Sequence, residues 1–260
     1  MQYFWKYLSY LFHAKHRKGF GIHSPFVFYL VTMVIEETLP YYRFVQIENL
    51  RTLLNKTKKK IKENKNGVET ERRISEFVRE SSISPSYDQL LFRLVNFFKP
   101  RNVVEIGTSI GITSLYLATS DTHRPVYTIG ESKELADFAH TTFGKVGLQN
   151  IIQQTGNVET KLPVVLSKEK NIDFVYFGRQ TSVEAIQKSL SLLSSSFTSK
   201  TVIMLSDLWK DERKELWETM KKQPGVRVSI EMFHYGILIF NEDLQCENYN
   251  LLYLPPLFRK

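Results

Sequence analysis

Cysteine is almost absent from this chain: among 260 residues only Cys246 carries a thiol. A single cysteine excludes an intramolecular disulfide and any cysteine-rich metal cluster, and it makes a reducing, cytoplasmic setting the expectation. Long apolar runs are missing as well. The stretch PFVFYLVTMVI at 25–35 falls short of the ~18–20 residues that cross a bilayer. Lys6 interrupts the apolar N-terminal stretch and no small-residue cleavage site follows, which is not the layout of a secretory signal. No internal repeat is visible. Beyond residue 66 there is no net charge of either sign: residues 67–260 carry 23 Lys/Arg against 23 Asp/Glu, whereas residues 1–66 carry 12 against 4. The net charge of +8 therefore lies in the first quarter. This argues against a specific nucleic-acid groove in the main body and leaves the N-terminal segment as the place for an anionic partner.

What is present begins with MQYFWKYLSYLFHAKHRKGF at 1–20, where Phe4, Trp5, Leu8, Leu11 and Phe12 fall at helical spacing before Lys15, Arg17 and Lys18. Two readings stand. One is a helix docking its aromatic stripe on its own protein or on a second copy, as in a homodimer; the other is peripheral contact with a membrane or anionic surface. GIHSPFVFYLVTMVIEE (21–37) predicts a helix with Ser24 as N-cap and Pro25 at the first helical position. His23, just before it, reads as a histidine bonding local backbone. Lys56, Lys58, Lys59, Lys60, Lys62 and Lys65 crowd a polar stretch ending at Asn66-Gly67, which reads as a linker or mobile loop. The expected organisation is a basic helical extension over 1–66 and one α/β domain over 67–260.

Within that domain, β-rich runs alternate with helical patterns. A helix at about 86–98 precedes a strand at 102–106, a helix at 111–119, a strand at 125–129 and a helix at 132–145. Strands at 150–154 and 172–177, a helix at 181–194, a strand at 201–205 and a helix at 210–222 follow. A last strand pair, 226–233 and 235–240, hinges at His234-Tyr235-Gly236. Parallel strands need helical crossovers, so the pattern predicts a Rossmann-like doubly wound α/β sheet, seven strands ending in an antiparallel hairpin. The first strand runs into VVEIGTSIGITSLYLA (103–118), a strand, glycine turn and helix start. Such a turn offers unpaired N–H groups and a partial positive charge to an anionic ligand. Its spacing is G-x-x-x-G behind Glu105, not the dinucleotide G-x-G-x-x-G.

This order of elements, opening on E-x-G-x-x-x-G and closing on a hairpin, resembles the class I S-adenosylmethionine-dependent methyltransferases over about 84–241. In detail it is similar to the small bacterial O-methyltransferase-like group, which shares the helix SYDQLLFRLVNFFKP, the turn EIGTSIG and the leader GIHSPF. The resemblance implies S-adenosylmethionine as cofactor and a small-molecule acceptor. Glu105 and Gly107 would line the cofactor's amino-acid end, and Thr108, Ser109 and Gly111 would approach its carboxylate.

Several positions depart from the family pattern. After the second strand the chain reads YTIGES: Gly130 stands where an acid binds the ribose, and Glu131 follows one residue later. Glu131 reads as a displaced ribose ligand or as a solvated glutamate. Asn157, after Gly156, takes the place of an adenine-contacting acid or makes an ordinary turn. The fourth strand reads DFVYFGRQ, so Gly178 replaces the second metal-ligating Asp and Arg179 follows it. One acid among these positions does not make the oxygen shell of Mg²⁺, and the expectation is a site without metal. Asp207 reads as a general base or a helix cap, Arg179 as a cation orienting the acceptor, and Trp209 as a pocket wall or a packing residue. A methyltransferase fold that has lost turnover and acts as a binding module is the alternative.

Overall fold

Ser24 and Pro25 set the first capped helix start, as their spacing predicts. The Ser24 hydroxyl accepts the Val27 N–H, and Pro25 opens helix α2 (Pro25–Leu30), which widens into a π-helical turn over Val31–Ile35. The structure, a computed structural model, describes residues 2–65 and 68–254. Ahead of α2 lies α1 (Gln2–His13); after it come α3 (Tyr42–Lys56), strand β1 (Lys60–Lys65) and strand β2 (Val68–Arg73). Helices α4 (Ile74–Ser81) and α5 (Pro85–Phe98) complete the region before the glycine turn.

The lysine-rich stretch is not the expected linker or mobile loop: Lys56 closes α3, and Lys60, Lys62 and Lys65 lie in strand β1. β1 pairs antiparallel with β2, placing Lys62 opposite Glu71, while Lys60 Nζ reaches Glu71 Oε2 at 3.0 Å. Ile61 is buried in the core. Glu71 offsets part of the repulsion along β1, while Lys60 itself lies opposite Arg73. Asn66-Gly67 lies outside the described residues.

The main sheet follows from β3 (Val103–Ile106), β4 (Val126–Gly130), β5 (Ile151–Thr155), β6 (Phe174–Phe177) and β7 (Val202–Ser206), all mutually parallel. Helices α6 (Ile112–Thr119), α7 (Lys133–Val146), α8 (Val158–Lys168), α9 (Val183–Leu193) and α10 (Asp211–Met220) make the crossovers. The expected hairpin is present as β8 (Val228–Glu231) and β9 (Tyr235–Ile239), and β9 runs antiparallel to both β8 and β7. An eighth strand, β10 (Glu247–Asn250), adds parallel to β8, so the sheet has eight strands where seven were expected. The order is β10-β8-β9-β7-β6-β3-β4-β5.

Alternation along the central strands feeds two cores. Val103, Phe174, Tyr176, Val202 and Met204 point to one face; Val104, Ile106, Val175, Phe177, Ile203 and Leu205 point to the other. Burial on both faces is why these strands read as continuous apolar runs. The first core is shared with the N-terminal region. Phe44, Ile47, Leu50 and Leu54 of α3 join Leu90 and Phe92 of α5 and Tyr116 of α6, and the Phe44 and Phe92 rings meet edge-on at 5.0 Å. Arg51 of α3 pairs with the buried Asp88 of α5 at 2.5 Å. The first quarter is therefore packed into the body that holds the sheet.

α1 docks, but not through its predicted stripe. Tyr3, Tyr7 and Tyr10 set their rings against Phe233, and Tyr10 donates to Leu251 O at 2.5 Å. Phe4, Trp5 and Phe12 remain exposed. His23 is exposed ahead of α2.

Candidate active site

At the carboxyl ends of β3, β4, β6 and β7 the loops enclose a cleft of about 860 Å³, within the ~300–1,000 Å³ range of small-molecule sites. This is where an open parallel sheet presents its ligand crevice. Gly107, Thr108 and Ser109 form one wall, Gly130 and Glu131 the next, Gly156 and Asn157 a third, and Arg179, Gln180, Thr181, Asp207 and Lys210 the far end.

The glycine turn is built by steric necessity. Gly107 has φ +104°, and a Cβ there would lie 2.5 Å from Thr181 Oγ1. Its N–H is committed to Ile129 O at 2.8 Å, which ties the turn to the end of β4. Ser109 adopts φ +49°, a left-handed conformation costly for a residue with a Cβ. Ser109 lines the cleft, and its Oγ, turned away from solvent, has no partner among the described residues.

Glu105 lies behind the turn instead of on the cleft wall. It is fully buried and accepts hydroxyl hydrogen bonds from Thr113 (2.5 Å), Thr128 (2.6 Å) and Ser114. Burial pushes its carboxyl up to about 6, against the lowering effect of those three hydroxyls. The acid thus clamps the start of α6 to β4 and supports the turn from inside. Gly111 is also set back: it is the N-cap of α6, and a Cβ would meet the Phe143 ring at 2.4 Å. Neither residue is placed for the ligand contact expected of it.

Gly130 is explained by Thr108. A Cβ at Gly130 would sit 3.0 Å from Thr108 Oγ1, and that hydroxyl is fixed to Thr128 Oγ1 at 2.6 Å. Glu131, one residue on, is exposed and lines the cleft. Asn157 also lines the cleft, but its Oδ1 accepts the Glu159 N–H at 2.8 Å as the N-cap of α8. That leaves the amide nitrogen and a second lone pair free of the cap. At the end of β6, a Cβ at Gly178 would lie 3.0 Å from Gly107 O, so the turn's own backbone fills the space an acidic side chain would need.

Asp207 and Arg179 meet at the far end. Arg179 Nε donates to Asp207 Oδ1 at 3.0 Å, and Lys210 Nζ lies 2.9 Å from Oδ2. Asp207 is fully buried at φ +58°. Burial pushes its carboxyl up, but Arg179 and Lys210 outweigh that and hold it below the usual carboxylate value. Arg179 also donates to Ser82 O at 3.1 Å, joining α4's end to the strand tips. Asp207 thus serves two cations here, and α10 begins four residues later at Asp211. Trp209 lies outside the main cleft. It walls a second cavity of about 330 Å³ beneath α1 and meets the Tyr3 ring edge-on at 5.0 Å.

Arg213 carries no obvious signal in the sequence. Its buried guanidinium donates to Ser206 O (2.9 Å), Gly178 O (3.1 Å), Arg179 O (3.1 Å) and Thr181 O. One side chain on α10 therefore fixes the loops that follow β6 and β7. Thr181 and Lys210, also on the cleft, carry no motif either.

No family model matches the sequence, and no curated protein matches it. Solved structures do. The O-methyltransferase of Bacillus cereus in complex with S-adenosylhomocysteine aligns at TM-score 0.53 and 17% identity, over 81% of this chain and 95% of that one. The S-adenosylhomocysteine-bound methyltransferase PaMTH1 of Podospora anserina aligns at TM-score 0.59 and 10% identity, over 84% and 96%. The O-methyltransferase TomG of Streptomyces achromogenes, in complex with S-adenosylmethionine, aligns at TM-score 0.53 and 14% identity, over 82% and 94%. With its parallel sheet, glycine turn and closing hairpin, this chain has the class I O-methyltransferase-like fold.

Proposed function

We propose that the cleft binds S-adenosylmethionine and that the protein transfers its methyl group, without a metal ion, to an oxygen or nitrogen of a small-molecule acceptor. The observation that carries this reading is the turn of Gly107, Thr108 and Ser109 on the wall of a cleft that opens at the strand ends. When bound, the cofactor supplies an electrophilic methyl group on a sulfonium. The chain's task is alignment, and positioning alone contributes about 7–11 kcal/mol in well-oriented reactions.

Ser109 and Thr108 face the amino-acid end, with Gly107 giving the backbone its close approach. Glu105 acts one layer back, holding the turn. Glu131 reaches the ribose hydroxyls from the rim of β4, and Asn157 offers its free amide atoms to the base. Gly111 sets the helix start behind them. At the acceptor end, Arg179 and Asp207 form a fixed dipole that orients the acceptor. A carboxylate held below its usual pKa between two cations is a weak base, which favours orientation over proton abstraction for Asp207. The donor set speaks for metal independence: Gly178 offers no side-chain ligand, Arg179 and Lys210 occupy Asp207, and Glu80 is taken by Arg72 and Gln180.

Incubation with methyl-labelled S-adenosylmethionine and a panel of phenols, catechols and amines, with and without a chelator, tests this. Transfer that survives the chelator supports the reading. Transfer lost on chelation and restored by Mg²⁺ contradicts the metal-independent part, and no transfer to any acceptor counts against the activity.

A further inference from the structure

Exposed apolar side chains are distributed unevenly over this molecule. Of the thirteen large hydrophobic residues that stand exposed among the described residues, twelve lie between Tyr3 and Leu53, and only Val164 lies elsewhere. α1 carries four of the twelve, Tyr3, Phe4, Trp5 and Phe12. At 100° per residue its docked face is Tyr3, Tyr7 and Tyr10, whereas Phe4, Leu8, Phe12 and Trp5 form a separate adjoining arc. Phe4 and Trp5 are each 62% exposed and Phe12 is 80% exposed. The helix is therefore already seated by one face, and on a second apolar face Phe4, Trp5 and Phe12 stand exposed beside a half-buried Leu8. A surface helix docked on one side normally turns polar residues outward.

Charge says what that face meets. The first 35 residues contain Lys6, Lys15, Arg17 and Lys18 and no aspartate or glutamate. Lys6 is engaged with Asp211, but Lys15, Arg17 and Lys18 stand exposed just beyond the helix. A second copy docking face to face would bring Lys15, Arg17 and Lys18 against their counterparts, three cations against the one acid at the cluster, Glu36, which accepts the Lys18 N–H at 3.0 Å. An anionic lipid surface meets both needs. Its headgroups attract the lysines and arginine, and its interfacial zone takes tryptophan and phenylalanine rings.

We propose that the outer face of α1, through Phe4, Trp5, Leu8 and Phe12 with Lys15, Arg17 and Lys18, docks the protein on an anionic membrane surface. The inner face of the same helix stands over the loop that carries Asp207: Tyr3 packs on Trp209, and Lys6 Nζ donates to Trp209 O at 3.1 Å. Docking would thus hold the far end of the cleft about one helix diameter, ~10 Å, from the lipid. The docking itself is independent of methyl transfer, and its test reads binding and not turnover.

The full chain is sedimented with vesicles of phosphatidylglycerol and phosphatidylethanolamine, and separately with vesicles of phosphatidylcholine alone. A triple variant, Phe4→Ser/Trp5→Ser/Phe12→Ser, removes the exposed rings, and Lys15→Glu/Arg17→Glu reverses two charges; circular dichroism checks that both fold. We expect binding to the anionic vesicles only, weakened by salt. Neutralising two charges near the surface accounts for roughly a thirtyfold loss, so their reversal should cost at least that. The ring variant should also release. No sedimentation of the wild type overturns the proposal, as does equal sedimentation of wild type and ring variant. If the wild type instead self-associates in analytical ultracentrifugation without vesicles, and the ring variant is monomeric, the face belongs to a second copy and the membrane assignment falls.

Discussion

Arg179 and Asp207 join the tips of β6 and β7 through an Nε–Oδ1 hydrogen bond of 3.0 Å, with Lys210 on the other carboxylate oxygen. The pair closes the end of the cleft where an acceptor would sit. Asp207→Asn removes the charge both cations face. Breaking a buried pair costs about 3–5 kcal/mol, but Arg179 and Lys210 are partly exposed, so solvent screening reduces this to about 2–3 kcal/mol. The carboxyl titrates below its usual value in the fold, so the pair's stabilisation is present above about pH 4 and is lost as the pH falls through the depressed value. Urea unfolding of wild type and variant from pH 7 downward checks both statements. The difference between them should shrink in acid.

Glu105 gives the opposite slope. Its folded value of about 6 lies above the ordinary 4.5, so the native state holds the proton more tightly than the unfolded chain does. Stability contributed by this group is full below about pH 4.5 and falls as the pH rises through 6. At 1.36 kcal/mol per pH unit, the loss is about 2 kcal/mol. Glu105→Gln should remove that limb, leaving a flatter stability profile between pH 4.5 and 7. An unchanged profile would show that the carboxyl is not held as described.

His234 is buried beside Tyr3, whose Oη lies 3.2 Å from its Nε2. Burial drives its pKa down to about 4, assisted by Arg179 and opposed by Asp207. The ring should therefore stay neutral at pH 5. Nitrogen chemical shifts of the imidazole, followed from pH 7.5 to 4, should show no midpoint near 6.5. Tyr3→Phe should leave the ring neutral while removing the hydrogen bond.

Gly130→Asp would place an acid at the end of β4, but its Cβ would lie 3.0 Å from Thr108 Oγ1, so Thr108 would have to give way. Overpacking of this kind costs about 1–3 kcal/mol. The double variant Thr108→Ala/Gly130→Asp should recover part of that loss, and thermal melting of the single and double variants measures the coupling.

The sheet was legible because its strands carry unbroken apolar runs between turn residues, and so was the hairpin, although its turn spans 232–234 and Tyr235 and Gly236 of the expected hinge already lie in β9. Gly236 itself lies against the Trp217 ring, where a Cβ would be 2.6 Å away. α8 was not legible: Pro163 sits inside it, and the helix survives because Leu162 and Val165 anchor it in the core. β10 is short and mostly polar, with Tyr249 alone buried. The lysine block misled because charge repulsion is a local argument, and β2 supplies the opposing acid only through pairing. At the site, the residue types on the cleft wall could be read from motif positions. Directions could not. Glu105 points into the core because Thr113, Ser114 and Thr128 converge on it, and that convergence is tertiary. Arg213 has no motif, since its partners are backbone carbonyls from two loops.

Calorimetric titration with S-adenosylmethionine and S-adenosylhomocysteine, on the wild type, Glu131→Ala and Gly107→Arg, tests the cofactor cleft most directly. The account predicts micromolar binding by the wild type. Glu131→Ala should bind about tenfold more weakly, the worth of a hydrogen bond to a charged group. Gly107→Arg should not bind, because its side chain would enter the turn beside Thr181. Absence of binding heat from a folded wild-type protein, or equal affinity in all three, would contradict it.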